Sequence, residues 1–229
     1  MDLMSIWAIV PVKPLRRAKT RLADILSPDQ RYQLAEMMLR QVLAVLDSAP
    51  QVTGTLVISR DTEALAIARD MGARTIQESS SSDLNLALIR ATEVIRVWGA
   101  GAALIIPADL PFVNAHDIAS IAGMGRYGPC IVIASDVYKM GTNALLVRPP
   151  GLINYAFGEN SYNLHLAAAQ RANIDVHTYD SDSLRIDIDV PEDLVRYNEL
   201  VESGEFTLLT RMLPDLSRSD MPTTGGSNG

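Results

Sequence analysis

From residue 5 onward, short apolar runs of strand length alternate with segments whose apolar residues recur at helical spacing. Strands interleaved with helices close into a mostly parallel sheet covered on both faces, so this alternation constrains the fold more than any other feature. The first run, residues 5–12 (SIWAIVPV), has no charged interruption, as a strand buried on both faces requires. Further strands are expected at 54–59, 74–77, 102–106, 130–135, 143–147 and 175–179.

The intervening segments carry helix signals. Ser27 can cap a helix, Pro28 suits its first position and Gln30 can close a capping box. Leu34, Met38, Val42 and Val45-Leu46 then recur at helical spacing. Asp61-Thr62 opens a second helix, and Gly72 stands where a left-handed cap would end it. Other helices are expected near 83–97, 115–123, 161–172 and 191–203. The expected class is α/β, a three-layer α/β/α sandwich with a mostly parallel mixed sheet. There is no internal repeat and no linker, so residues 1–212 read as one domain. The polar, Gly-, Pro- and Ser-rich end of the chain makes 213–229 an expected disordered tail.

Composition removes several function classes. The chain has 229 residues, enough to bury a core without a disulfide or structural metal. A single cysteine, Cys130, rules out an intrachain disulfide and fits a reducing compartment. Three histidines, His116, His165 and His177, leave little material for a His/Cys zinc site. Lys and Arg number 20 against 27 Asp and Glu, a net charge of −7, which argues against nucleic-acid binding. The N-terminus places apolar residues before basic ones, the reverse of an export signal, and its apolar run falls far short of a bilayer. The expected location is the cytoplasm, with no membrane association.

Ligands of open α/β sheets bind at the carboxyl ends of strands, so the segments after strands are the informative ones. After the first strand comes PVKPLRRAKTRL, which places Lys13, Arg16, Arg17, Lys19 and Arg21 within nine residues of an acidic chain. Such a cluster can hold a triphosphate, Lys as a point charge and Arg as a two-pronged donor, or can be a solvated helix face. No GxxxxGK[ST] and no GxGxxG is present, which removes the P-loop and dinucleotide folds. After the fourth expected strand, 102–106, PADLP sets Asp109 between two prolines, and Asp187-Ile188-Asp189 precedes the last helix. Carboxylates from separate loops, completed by water and phosphate oxygens, hold Mg²⁺; the same residues can also be turn formers or dipole-favoured groups at a helix start. Their coincidence with the basic loop favours a Mg²⁺–nucleotide site.

In order along the chain, PVKPLRRAKTRL, SDLNLAL, PADLP, GTNALL, FGENS and DIDVPEDL resemble the phosphoenolpyruvate/2-phospho-L-lactate guanylyltransferase family of coenzyme F420 biosynthesis. The resemblance runs from about Ile6 to Leu200. It implies a nucleotide-diphospho-sugar transferase fold like that of molybdenum-cofactor guanylyltransferase, and a nucleotidyltransferase joining GTP to a phosphorylated three-carbon acid. It further implies that Lys13, Lys19 and Arg21 hold the triphosphate, with Lys13, Lys19, Arg21 and Asp109 carrying catalysis. Asp109 and Asp189 would carry Mg²⁺, Asn85 would lie near guanine or ribose, and Thr142, Gly158 and Ser161 would hold the acceptor acid. Val190 departs from the related pattern, where a capping Thr often stands, and leaves Asp187 open beside Asp189 as the second metal ligand. Ser161 can also be an ordinary helix cap, His165 reads as structural, and Cys130 reads as core.

Several alternatives stay open at the level of sequence. The acceptor can be phosphoenolpyruvate, 2-phospho-L-lactate or 3-phosphoglycerate, and a homodimer is compatible with the chain. Another molybdenum-cofactor or sugar-phosphate nucleotidyltransferase is disfavoured by the absence of glycine from the basic loop. The remaining rival is a non-catalytic GTP-binding protein of the same fold.

Overall fold

A computed structural model describes residues 4–78 and 83–203. The expected tail, 213–229, lies outside them, as does Ser82 of the SDLNLAL segment. Among the described residues seven strands form one sheet: β1 (Ile6–Val12), β2 (Val52–Ser59), β3 (Arg74–Gln77), β4 (Ala102–Ile105), β5 (Cys130–Ser135), β6 (Thr142–Arg148) and β7 (Asp175–Thr178). Their order across the sheet is β3-β2-β1-β4-β6-β5-β7. β1, β2, β3 and β4 run parallel, β5 pairs parallel with β7, and β6 lies antiparallel between β4 and β5. The antiparallel strand follows from chain length: only residues 136–141 join β5 to β6, too few for the crossover that parallel strands need. Asp136 closes that turn by accepting from the Met140 and Gly141 N–H groups, both at 2.9 Å.

Among the described residues six α-helices cover the sheet: α1 (Pro28–Ser48), α2 (Thr62–Asp70), α3 (Leu84–Val97), α4 (Ala115–Met124), α5 (Ser161–Arg171) and α6 (Pro191–Ser203). The capping box at Ser27 and Gln30 forms as expected, and Gly72 takes φ +82° beyond α2. The alternation of β1 divides the core in two. Ile6, Ala8, Val10 and Val12 pack with α1, α2 and α4, while Trp7 and Ile9 pack with α3 and α5. A third, smaller cluster joins Leu22, Leu26, Leu34, Met38, Ile186, Ile188, Leu194 and Tyr197. It clamps the segment after β1 against the segment before α6, and so fixes where the basic loop and the paired aspartates meet. Among the described residues no helix is long and apolar enough to cross a membrane.

Candidate active site

The loop after β1 is neither a helix face nor a free arm. It consists of two 3₁₀ turns, Leu15–Arg17 and Thr20–Leu22, anchored by the buried side chains of Leu15 and Leu22. Of the five cations in the run, Lys13, Arg16, Arg17 and Arg21 are exposed, as the solvated reading has it, and Lys19 turns inward. Ser59 donates to Val12 O at 2.8 Å, and Asp61 accepts from the Leu15 N–H at 2.7 Å, tying the loop to the start of α2. Between the turns Lys19 adopts the left-handed conformation, φ 55° and ψ 39°, which redirects its side chain from the chain path into the molecule.

The Lys19 side chain is 5% exposed, and its ammonium bridges two carboxylates, Asp109 Oδ2 at 2.8 Å and Asp189 Oδ1 at 3.2 Å. Arg21 stands 3.6 Å from the other Asp189 oxygen and is 71% exposed. Burial alone would lower the Lys19 pKa, but the charges of Asp109 and Asp189 outweigh it and hold the ammonium protonated. Burial would raise Asp109, yet Lys19 and then Lys13 hold its carboxyl below the usual range. Asp187 is pushed up to about 6, first by burial and then by the negative charge of Asp109. Ile186 and Ile188 point into the small core cluster, so the interleaved aspartates are presented on the opposite side.

The missing Thr at position 190 has a local replacement. Asp193 accepts from the backbone N–H groups of Asp189 and Val190, each at 2.9 Å, and so caps α6 from inside its first turn. Asp189 is thereby held next to Lys19 without a side-chain cap at residue 190.

Lys19, Asp109 and Asp189 line a cleft of about 230 Å³ together with Val12, Arg60, Glu78, Leu84, Ala87, Pro107 and Phe157. It brings together Lys13, Lys19, Asp109 and Asp189 of the expected site. Arg60 and Glu78 escaped the sequence reading. Register explains their presence: Val12 lies opposite Ser59, and Ser59 opposite Gln77, so Lys13, Arg60 and Glu78 leave three parallel strands side by side. The rule that flagged the loop after β1 applies equally to the first residues after β2 and β3.

Arg21, Asn85, Thr142, Gly158 and Ser161 are not among the cleft-lining residues; Asn85 reaches the cleft wall through its hydrogen bonds to Phe157. Asn85 accepts from the Phe157 N–H at 2.7 Å and donates to the Phe157 carbonyl at 3.1 Å, so its amide is engaged by the protein backbone. Thr142 Oγ1 stands 3.1 Å from His165 Nδ1, and His165 Nε2 accepts from the Ala156 N–H at 3.0 Å. That acceptor role puts the histidine proton on Nδ1, facing Thr142, and burial lowers the His165 pKa to about 4. His165 is therefore a neutral brace, as the sequence suggested. Ser161 is the first residue of α5, and its cap position is Asn160 at φ 57° with no side-chain cap bond. The reading of Ser161 as an ordinary cap is corrected accordingly. Gly158, at φ +133°, is the residue for which a side chain would be strained. Residues 140–142 and 158–162 meet where the Tyr162 N–H donates to the Met140 carbonyl at 3.0 Å.

A family model described as guanylyl transferase CofC like matches residues 6–220. The chain belongs to the CofC-like guanylyl transferases. Among the CofC-like relatives, a phosphoenolpyruvate guanylyltransferase of Rubrobacter xylanophilus is 42% identical over 84% of this chain and 93% of its own. A 2-phospho-L-lactate guanylyltransferase of Methanothermobacter thermautotrophicus is 32% identical over 97% and 96%. Solved structures extend the likeness of fold. A nucleotidyl transferase from Methanothermobacter superposes with a TM-score of 0.66 at 15% identity, covering 87% of this chain and 99% of that one. A 4-diphosphocytidyl-2C-methyl-D-erythritol synthase gives 0.61 at 12% identity over 86% and 99%. The CofC-like chain is thus an α/β nucleotidyltransferase, and the expected fold class holds.

Proposed function

We propose that the protein transfers the guanylyl group of GTP to a phosphorylated three-carbon acid, phosphoenolpyruvate or 2-phospho-L-lactate. The observation that carries this reading is the buried Lys19 ammonium between Asp109 and Asp189, at the floor of a cleft that Lys13 also lines. A phosphate oxygen of the acid forms a bond to the α-phosphorus of GTP. The bond from that phosphorus to the α–β bridging oxygen breaks, and pyrophosphate departs with the electron pair. The attacking oxygen is anionic near neutral pH, so no protein base is required, in keeping with a neutral, inward-braced His165.

The chain's part is charge cancellation and positioning. Lys13 and Lys19 meet the triphosphate, and Arg21 approaches from the rim beside Asp189. Mg²⁺ fits the donor set, because Asp109 and Asp189 are hard oxygen ligands already sharing one cation, the Lys19 ammonium, at 2.8 and 3.2 Å. When bound there it would polarise phosphoryl oxygens, with Asp187 adjacent as a further carboxylate. The acceptor acid is assigned to the side formed by Thr142, Gly158 and Ser161, where the start of α5 favours an anion.

Pyrophosphate release from GTP, measured with phosphoenolpyruvate, 2-phospho-L-lactate and 3-phosphoglycerate in turn, tests the proposal. Release with one of the first two, and a guanylylated acid of matching mass, is expected. Tight GTP binding without release in any arm would make the protein a non-catalytic GTP binder.

A further inference from the structure

Glu78 stands at the carboxyl end of β3, and its backbone N–H donates to the Ser59 carbonyl at 2.9 Å. Its main chain is therefore fixed by the sheet. Its side chain has an unmet oxygen: Oε1 is shut off from solvent and has no hydrogen-bond partner among the described residues. Buried carboxylate oxygens are ordinarily paired, and one left unpaired in a cleft wall points to a donor that arrives with a ligand. The surroundings describe that ligand. Ile58, Leu84, Ala87 and Phe157 give the same cleft an apolar stretch suited to the faces of a flat ring. Lys13 emerges two strands away, at roughly 10 Å by the usual strand spacing, a separation that a nucleoside can bridge from base to phosphate.

We propose that Glu78 reads the base of the nucleotide, its carboxylate accepting the N1–H and the exocyclic amine of guanine. Guanine presents two adjacent donors on that edge, which match two carboxylate oxygens. Adenine presents an N1 lone pair there, which a carboxylate repels and leaves unpaired. Selection thus combines attraction of guanine with rejection of adenine. The inference rests on the nucleotide reading of this cleft, but its test does not require turnover.

Equilibrium binding of GTP, ATP, inosine triphosphate and N1-methylguanosine triphosphate is measured on the full chain without acceptor acid. Wild type is expected to bind GTP on the order of tenfold or more tighter than the N1-methyl analogue, and tighter than ATP, with inosine triphosphate between them. Glu78→Gln, checked for an unchanged melting temperature, is expected to lose on the order of tenfold in GTP affinity while ATP affinity holds or improves. Glu78→Asp, which keeps the charge but shortens the reach, should recover part of the preference. Equal affinity of wild type for GTP and its N1-methyl analogue would overturn the proposal without any variant. So would a Glu78→Gln effect that falls equally on GTP and ATP, which marks a structural role. If wild type discriminates among nucleotides but turns none over with any phosphorylated acid, the base-reading role stands and the transfer reading falls.

Discussion

The Lys19 ammonium stands 2.8 Å from Asp109 Oδ2, although the two residues are 90 positions apart. The contact joins the loop after β1 to the loop after β4, and these neighbouring parallel strands deliver both groups to one sheet edge. One ammonium shared by two carboxylates leaves a net charge of −1, a balance that favours a further cation before an anionic phosphate. Because Lys19 needs a left-handed backbone to reach this position, its geometry is set before ligand arrives.

Lys19→Met is expected to lower kcat by on the order of 10²–10³, because pyrophosphate gains charge as the bond breaks and loses its fixed counter-cation. A rise in the KM for GTP with kcat unchanged would show that Lys19 binds ground state and transition state alike.

Asp109→Asn should reduce turnover by at least ~10² at every Mg²⁺ concentration while the melting temperature changes little. The side chain is 34% exposed, and Lys19 retains Asp189 as a partner. Near-normal turnover would reduce Asp109 to a turn residue.

Asn85→Ala removes both hydrogen bonds to the Phe157 backbone, and a loss of about 1–3 kcal/mol in stability is expected by urea unfolding. If stability held and only the KM for GTP rose, Asn85 would be a nucleotide contact, as the family resemblance implied, and not a brace.

His165 gives a pH signature. Its folded pKa is lowered by burial to about 4, whereas an unfolded histidine takes up its proton near 6.5. Above about pH 6.5 neither state binds the proton. Between about pH 6.5 and 4 only the unfolded state does, so stability is lost as pH falls, by about 3 kcal/mol across the window. His165→Gln lacks this term, and the stability difference between wild type and variant should shrink on acidification. A difference independent of pH would contradict the neutral assignment.

Local signals made most of the architecture readable in advance. The expected segments 74–77, 130–135 and 191–203 coincide with β3, β5 and α6, because apolar runs and capping residues act within a few positions. Lys13, Lys19, Asp109 and Asp189 meet in one cleft, although only Lys13 directly follows a strand and Asp189 was singled out by the paired aspartates before α6. What stayed hidden depends on tertiary geometry. The left-handed turn at Lys19, the engagement of Asn85 by the Phe157 backbone, and the cap at Asn160 in place of Ser161 arise from contacts between distant segments. Arg60 and Glu78 became visible only once strand register set them beside Lys13.

Ser161→Ala separates two roles for the start of α5. The residue caps nothing, so the change should cost well under the ~1 kcal/mol of a lost N-cap while raising the acceptor KM and sparing that for GTP. A stability loss with both KM values unaltered would make Ser161 purely structural.

Whether the α-phosphorus is the reaction centre is decided by the fate of label from α-³²P-labelled GTP incubated with phosphoenolpyruvate or 2-phospho-L-lactate and Mg²⁺. Guanylyl transfer predicts the label on a guanylylated acid, formed one for one with unlabelled pyrophosphate. Label recovered in GDP, with orthophosphate or a doubly phosphorylated acid as the other product, would place the attack at the γ-phosphorus and contradict the arrangement of Lys13, Lys19, Asp109 and Asp189 derived above.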